Sequence, residues 1–318
     1  MQNGLKITTF NVNGIRSFEK YIKSKYNKSL NGFFLEILSS DIICLQETKT
    51  NLITEYLSLK DYNSFFSINK GKQGYCGVCT FVRKTIYAKK VETDNEGRYI
   101  LTDHQTFKVL NVYFPYFDEG NYKKDLEIKK KEVKMFYEKI EALIYNYDDA
   151  IVLGDFNATY DFKDHYQYIK EVERINKINN KSIKPIKKEN FLKTELPYSF
   201  FNEEDLTEYF FSVYQRKWLF NLLSKNILYD SFRRINPNVL NKYTCWNTLL
   251  NLRSKNLGTR IDLILVPVYM NTLYSEILNN VFGSDHCPVT TIVEINCIHN
   301  EEKFCKNNLL HFLKKNDK

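Results

Sequence analysis

The stretch Ile151 to Thr159, IVLGDFNAT, constrains this chain more than any other. Three apolar residues running into Gly-Asp-Phe-Asn specify a buried strand that stops at a tight turn and leaves Asp155 and Asn157 at its carboxyl end. In open α/β layers that end is where ligands bind. Alternation puts Asp155 and Asn157 on one side and Phe156 on the other, so a carboxylate and an amide face outward together while the ring anchors the turn. Such a pair can hold and orient a water. A surface turn in which Asp and Asn bond only their own backbone explains an isolated D-F-N equally well, so partners must be sought elsewhere in the chain.

Two other strand ends supply candidates. Lys6 to Phe10 reads as a strand ending in Asn11-Val12-Asn13-Gly14-Ile15-Arg16, and period two points Asn11 and Asn13 the same way. Asp41 to Leu45 is the next strand, emerging into Gln46-Glu47-Thr48-Lys49. A carboxylate at the end of a buried strand is costly unless a cation pairs with it, which makes Glu47 a metal-ligand candidate, with a surface pair to Lys49 as the alternative. Closely spaced strands over Tyr62 to Ile68, Gly77 to Arg83, Arg98 to Asp103 and Phe107 to Phe114 predict hairpins and an antiparallel sheet. The last of these places Tyr113 near a strand terminus, a position that suits core or rim as readily as chemistry. Helices are expected around Leu30 to Leu38 and over Tyr122 to Tyr147, the latter with Leu126, Val133, Phe136, Ile140, Leu143 and Ile144 as its buried stripe and a Lys-rich exposed side.

The second half is less regular. Ile169 to Asn190 is Lys-, Asn- and Ile-rich and reads as a partly disordered insertion loop, preceded by an acid and imidazole pair, Asp164-His165. Trp218, Leu219, Leu222 and Leu223 restart a helix. Tyr243 to Val266 combines Trp246, a loop carrying Asn251, Arg253, Lys255, Asn256 and Arg260, and a strand with Asp262 inside an apolar run, where a carboxylate must have a partner. Phe282 to Val289, FGSDHCPV, sets Asp285 beside His286 just before a final strand over Val289 to Ile295. His286 paired with a buried carboxylate such as Asp262 would hold or supply a proton near neutral pH.

Composition narrows the class. At 318 residues and 43% hydrophobic content the chain suits one α/β domain over residues 1–298, with an insertion at about 169–200 and a basic tail over 299–318. A formal charge of +8, from 46 Lys+Arg against 38 Asp+Glu, suits a polyanionic partner. The seven cysteines are odd in number and scattered, as reduced thiols are, and Cys76-Gly-Val-Cys79 lies in an apolar strand pattern that reads as core packing. The N-terminus lacks a signal-peptide pattern and no apolar run is long enough to span a bilayer, which predicts a soluble intracellular protein.

The motifs FNVNGIR, CLQETK, NVYFP, GDFNAT, GTRIDLILV and GSDHCP, in this order, resemble the exonuclease III family of apurinic/apyrimidinic endonucleases within the endonuclease/exonuclease/phosphatase superfamily. EGRYI, RKWL, DSFRR and TCWNTLLNLRSKNLGTRID look like its second eukaryotic nuclear branch, which resembles a 3′-end-processing exonuclease and phosphodiesterase as much as an abasic-site nickase. The resemblance covers about Lys6 to Ile295. It implies an α/β (α+β) four-layered, DNase-I-like sandwich, with two packed, mainly antiparallel sheets flanked by helices. It further implies a nuclear, monomeric, Mg²⁺-dependent nuclease, Mn²⁺ being a substitute, acting on double-stranded DNA with abasic sites or damaged 3′ ends. By the same resemblance Glu47, Asp285, Asn13, Asp155 and Asn157 surround the metal, Asn11 orients Asp155, Asp155 and Asn157 position and deprotonate the attacking water, Tyr113 donates to phosphate, and Asp262 pairs with His286, which contacts the scissile phosphate. Arg16, Lys49, Trp246, Asn251, Arg253, Lys255, Asn256 and Arg260 would contact DNA. The motif core is shared with RNA deadenylases, phosphoinositide phosphatases and retroelement endonucleases, and a non-catalytic DNA-binding module is the remaining alternative.

The sequence departs from the family pattern in four places. Asn13 stands where many relatives have Asp; Cys245, Leu249 and Thr259 replace large residues that wedge against the abasic site; the loop from Tyr116 to Gly120 has no Arg; and the zinc-binding C-terminal segment typical of this branch is not found after the final strand. In the tail, Lys306 to Leu313 resembles a sliding-clamp-binding box, with an aliphatic and an aromatic plug at Leu309 and Phe312, although a terminal helix packed on its own domain or a Lys-rich tail touching phosphate fits the same residues.

Overall fold

The computed structural model describes residues 4–57, 59–117, 125–178, 186–188 and 194–294. Residues 122–124 of the expected long helix, 118–120 of the loop after Tyr113, 179–185 and 189–193 of the expected insertion, and the tail with its clamp-box resemblance lie outside the described residues. In chain order the first strands are β1 (Gly4–Asn11), β2 (Ile42–Gln46), β3 (Tyr62–Ser67), β4 (Val78–Arg83), β5 (Lys89–Thr93), β6 (Tyr99–Asp103), β7 (Lys108–Tyr113) and β8 (Ala150–Asp155). They are followed by β9 (Ile186–Lys187), β10 (Tyr198–Ser199), β11 (Leu228–Asp230), β12 (Asp262–Pro267), β13 (Thr272–Ile277) and β14 (Val289–Glu294). One six-stranded sheet runs β13-β14-β1-β2-β4-β3, the other β11-β12-β8-β7-β6-β5. The close-spaced strands expected to form one antiparallel run are split: β3 and β4 join the first sheet, β6 and β7 the second. The polar edge strand β5 gave no apolar pattern by which to find it.

Each sheet has one parallel pair at its centre, β1–β2 and β7–β8, and antiparallel neighbours elsewhere. Side-chain parity then builds the layers. Odd positions of β1, β7 and β8 and even positions of β2 and β12 face the other sheet, so Ile7, Ile42, Cys44, Val109, Ile151, Leu153, Ile264 and Val266 form the inter-sheet core. The opposite parity faces helices. Ile43, Leu45 and Phe10 pack under α1 (Ile15–Tyr26) and α2 (Leu30–Phe33) with its π-helical continuation Phe34–Leu38. Leu110, Val112, Val152, Leu263 and Leu265 pack under α4 (Leu126–Asn146) and α7 (Tyr214–Ser224), α3 (Thr54–Leu57) being a single turn before β3. This is the four-layered sandwich.

The insertion is a correction. Ile169 to Lys177 is not loop but most of α5 (Tyr166–Lys177), and α6 (Glu203–Phe211) follows, capped by Asn202. Tyr168, Ile175, Leu196, Phe200, Leu206 and Phe210 form a separate small core there, and the buried Glu171 carboxylate takes the Phe200 amide at 2.9 Å and the Arg174 side chain. Ile169, Val172 and Ile175 recur every third residue, a helical signal hidden among charges. Cys76 and Cys79 are buried free thiols, as the strand pattern implies.

Gly154 sets how close the two central strands of the second sheet can come. It has φ of +140° opposite Val112, and a Cβ there would sit 1.8 Å from the Val112 carbonyl oxygen. Gly154→Ala is therefore expected to lower unfolding stability by at least about 2 kcal/mol, since both the backbone region and the space exclude a methyl group. Urea denaturation checks this, and an unchanged midpoint would contradict the close approach.

Candidate active site

Parity also decides where the polar residues collect. The inward-facing rows end in Thr9 and Asn11 on β1, Gln46 on β2, Asn111 and Tyr113 on β7, Asp155 on β8 and Asp262 at the start of β12. Parallel pairing brings the carboxyl ends of β1, β2, β7 and β8 together, and antiparallel pairing adds the amino ends of β12 and β14, with Asp262 directly opposite Asp155. Polar side chains there bridge the sheets. Gln46 Nε2 donates to Asn111 Oδ1 at 2.8 Å and to Thr9 Oγ1 at 3.0 Å, and Asn111 returns a bond to the Cys79 carbonyl.

Asn11 is the central connector. Its Nδ2 donates to Glu47 Oε1 and to Asp155 Oδ2, both at 2.8 Å, and its Oδ1 accepts the Asn13 amide. Asp155 is buried, and its other oxygen accepts the Asn157 backbone N–H at 2.9 Å. Burial pushes the Asp155 carboxyl up to about 7, against the pull of His286 and the bonds from Asn11 and Asn157. His286 Nδ1 lies 2.8 Å from Asp262 Oδ2, while its Nε2 is 3.9 Å from Asp155 Oδ2. Burial alone would lower the imidazole, but the Asp262 carboxylate holds it well above its ordinary value. The structure thus joins Asn11, Asp155, Asp262 and His286 in one contiguous buried group.

Around it lies a more exposed ring. Burial opposes ionisation of Glu47, yet bonds from Asn11 and Lys49 keep its carboxyl below the usual range. Lys49 Nζ is 2.7 Å from Glu47 Oε2 and also donates to Asn13 Oδ1, so the expected surface pair is present. Asn13 Nδ2 donates to Asp285 Oδ1 at 3.0 Å, and Ser284 Oγ ties the loop to the Asn11 carbonyl. Alternation does not carry past either strand end. Asn13 and Asn157 both have φ near +48°, so Asn13 is exposed while Asn11 is buried, and Asn157 turns its Nδ2 onto the Phe114 carbonyl instead of lying in line with Asp155. Tyr113 is held protonated, first by burial and then by Glu47 and Asp155. Arg98, absent from the sequence candidates, lies with its guanidinium carbon 5.4 Å from the Tyr113 ring centre.

Asp155, Asp262 and His286 form a buried group that could hold a metal ion, with ligand atoms within 4.8 Å of one another. Of the sequence's metal candidates only Asp155 belongs to it. A metal taken there would have to break the His286–Asp262 bond. Glu47, Asn13 and Asp285 offer an all-oxygen set, and a lysine ammonium already bridges Glu47 to Asn13, so a positive charge is well received at that point. Hard divalent cations prefer such donors, and the ring fits one.

The expected DNA contacts divide into two groups. Arg16, Lys49, Asn251, Lys255 and Asn256 are exposed. Arg260 is not a DNA contact, because its side chain is 1% exposed and is bound by Asp164 at 2.6 Å and Asp230 at 2.7 Å, with Arg233 joining the same Asp164. Asp164 is thus a buried counter-ion, and His165 caps α5. Arg253 is also occupied: it donates to the carbonyls of Ser284, His286, Asn279 and Val281 and stacks between Trp246 and Phe282. Trp246 is buried beneath it. These residues brace the loop that carries Asp285 and His286. Cys245 and Thr259 pair through the backbone, and Cys245 also pairs with His286, but Leu249 is 94% exposed and walls no pocket.

Residues 8–286, from β1 through His286, match the Endonuclease/Exonuclease/phosphatase family. The chain belongs to that family. It is an enzyme, and the matched span encloses the whole cluster from Asn11 to His286. Among curated relatives, DNA-(apurinic or apyrimidinic site) endonuclease 2 of Bos taurus is 27% identical over 92% of this chain and 61% of its own length. The protein of that name from Schizosaccharomyces pombe is 28% identical, over 90% and 57%. The chain spans about three fifths of the length of these relatives. The crystal structure of the Xenopus laevis APE2 catalytic domain aligns with TM-score 0.63 at 27% identity, covering 91% of this chain and 92% of that one. An AP endonuclease from Leishmania major, at 20% identity and TM-score 0.66 over 92% and 88%, shares the fold.

Two substitutions separate bracing from contact. Arg260→Met leaves Asp230 buried without its guanidinium partner and Asp164 with Arg233 alone, and should lower unfolding stability by about 3 kcal/mol or more. Lys255→Ala should leave stability within about 0.5 kcal/mol while weakening duplex binding and flattening its salt dependence. Chemical denaturation and fluorescence anisotropy measure the two, and wild-type stability for the Arg260 variant would refute its bracing role.

Proposed function

We propose that this chain is a Mg²⁺-dependent DNA-repair nuclease of the nucleus that hydrolyses the phosphodiester at abasic sites in duplex DNA and removes 3′-blocking groups or nucleotides. The observation that carries this is the hydrogen-bonded run Glu47–Asn11–Asp155 facing His286–Asp262 at the sheet ends of a family enzyme. Phosphodiester hydrolysis needs an oriented nucleophile, a proton acceptor and donors for developing charge. Asp155, raised by burial, is the acceptor for the water proton, and Asn11 fixes its orientation. Asn157, anchored on the Phe114 carbonyl, has its amide oxygen left to position that water. His286, kept cationic by Asp262, and the protonated phenol of Tyr113 donate to the phosphate. A divalent cation held by Glu47, Asp285 and Asn13 would supply Lewis-acid stabilisation of the phosphoryl oxygens.

The experiment is a Mg²⁺-dependent assay on abasic, 3′-phosphoglycolate, recessed-end and poly(A) substrates, in which cleavage of poly(A) alone would overturn the DNA-repair reading. Asp155→Asn and His286→Ala are each expected to lower turnover by about 10²-fold or more with duplex affinity largely retained. Glu47→Gln should raise the Mg²⁺ concentration required. Near-normal turnover in either of the first two variants, or activity unchanged by EDTA, sinks the assignment.

Substrate preference follows from the surroundings of His286. Repaying the unstacking of an extruded abasic sugar, a few kcal/mol, requires apolar walls, whereas a frayed 3′ end is already accessible. With Cys245 beside His286, Thr259 paired to Cys245 and Leu249 in solvent, 3′-to-5′ removal of nucleotides or blocked ends is expected to exceed internal abasic incision. Relative kcat/KM on matched duplexes decides it, and an abasic-site rate tenfold above the exonuclease rate would reverse the order.

A further inference from the structure

Arg98 is a charged residue with no evident structural need for its charge. Its side chain is 12% exposed, yet among the described residues its only acidic partner is Glu96, at 3.3 Å from Nε, and the Glu96 side chain is itself 70% exposed. The other hydrogen bond of the side chain among the described residues is a long one, from Nη1 to the Tyr113 carbonyl at 3.4 Å. A guanidinium has five donors, and one this enclosed normally finds a bidentate carboxylate or several carbonyls, as Arg260 and Arg253 do in this same protein. What Arg98 has instead is aromatic surface. Its guanidinium carbon lies 5.4 Å from the Tyr113 ring centre and 6.0 Å from that of Phe136.

The backbone holds it there. Tyr113 N–H donates to the Arg98 carbonyl at 2.7 Å, and Asp94 Oδ1 accepts the Arg98 N–H at 2.9 Å. The preceding Gly97 has φ of +72° and lies so close to the chain at Ile68 and Asn69 that a Cβ would fall 2.7 Å from the Asn69 nitrogen. Gly97 also accepts from Gly77 N–H, whose own carbonyl accepts from Thr48, next to Glu47. A continuous run of backbone bonds therefore fixes Arg98 relative to Glu47, and Tyr113 relative to Arg98.

We propose that Arg98 is a positioning residue for the Tyr113 phenol. This rests on the reading of Tyr113 as a phosphate donor. A cation against the ring draws electron density from it, so the phenolic O–H becomes a stronger donor, while the carbonyl bond and the ring contact fix where the hydroxyl points. Arg98 touches no reacting atom, and its effect passes through Tyr113.

A double-substitution cycle tests this with four proteins: wild type, Arg98→Met, Tyr113→Phe and the double variant. Single-turnover cleavage of a duplex carrying a tetrahydrofuran abasic analogue is measured in Mg²⁺, duplex affinity in Ca²⁺, and thermal midpoint without DNA. Arg98→Met is expected to lower the cleavage rate about tenfold with affinity changed less than twofold, and the same substitution in the Tyr113→Phe background to cost less than about twofold. A packing role would give equal losses in both backgrounds, and that result overturns the proposal, as does a loss confined to affinity. Should Arg98→Met not fold, Arg98→Lys keeps the charge and gives up the planar contact; its smaller loss must likewise vanish when Tyr113 is Phe, and persistence there overturns the proposal. Wild-type cleavage by Tyr113→Phe alone would instead refute the assignment of Tyr113, a separate outcome.

Discussion

One side-chain amide decides whether the two sheets can share a reaction centre. Asn11 Nδ2 donates at once to Glu47, which follows β2 in the first sheet, and to Asp155, which ends β8 in the second. Without that donor, two carboxylates would face each other across a poorly solvated gap, an arrangement that costs several kcal/mol or drives one of them to protonate. The same amide lowers both acids, but burial outweighs it at Asp155, which stands at about 7, while Glu47, also bonded by Lys49, stays below its ordinary range, so two carboxylates on one donor differ in proton affinity. The Asn13 amide bonds to Asn11 Oδ1 and Ser284 to the Asn11 carbonyl, so the loop bearing Asp285 and His286 is referenced to the same residue.

The parts legible in the sequence are those where local chemistry and tertiary context agree. An apolar run that stops at Gly-Asp, or at Gln-Glu, marks a strand end bearing a carboxylate whichever sheet it joins, so Asp155 and Glu47 were recoverable, and Asp262 was recoverable as an acid set in an apolar run. Sheet membership was not, because a hairpin-spaced series of strands looks alike whether it makes one sheet or two. Nor was the fate of the arginines. Arg253, Lys255 and Arg260 read as one basic loop, but burial depends on which acids and carbonyls fold over them, and Asp164 and Asp230 lie 96 and 30 residues away along the chain. Alternation failed past Asn11 and Asp155 because positive φ at Asn13 and Asn157 reverses the chain, a step that Asn tolerates and that no periodicity announces.

The buried Arg260 cluster also explains why the helical insertion is attached to a catalytic sandwich. Arg260 binds Asp164 from the segment leading into α5 and Asp230 from β11, and it lies two residues before Asp262. Its backbone N–H donates to the Asp164 carbonyl, while Thr244 Oγ1 accepts the next two amides, of Ile261 and Asp262. A buried ion network of this kind contributes little net stability over an apolar replacement, but it is intolerant of register error. Its role here is to fix where β12 begins, and with that where Asp262 meets His286.

On the proposed function, charge is distributed so that a cation and a phosphodiester would not bind independently. The chain carries a formal +8, which draws a polyanion toward it, yet the centre at the sheet ends holds Glu47, Asp155, Asp262 and Asp285. A phosphodiester approaching that centre meets net negative potential in a medium of low dielectric, where screening by salt is weak. The fixed positive groups within the cluster are His286, already committed to Asp262, and Lys49, already shared between Glu47 and Asn13. On that proposal a cation on Glu47 would neutralise an acid and release Lys49 toward incoming phosphate, and each partner would then strengthen binding of the other by the same factor.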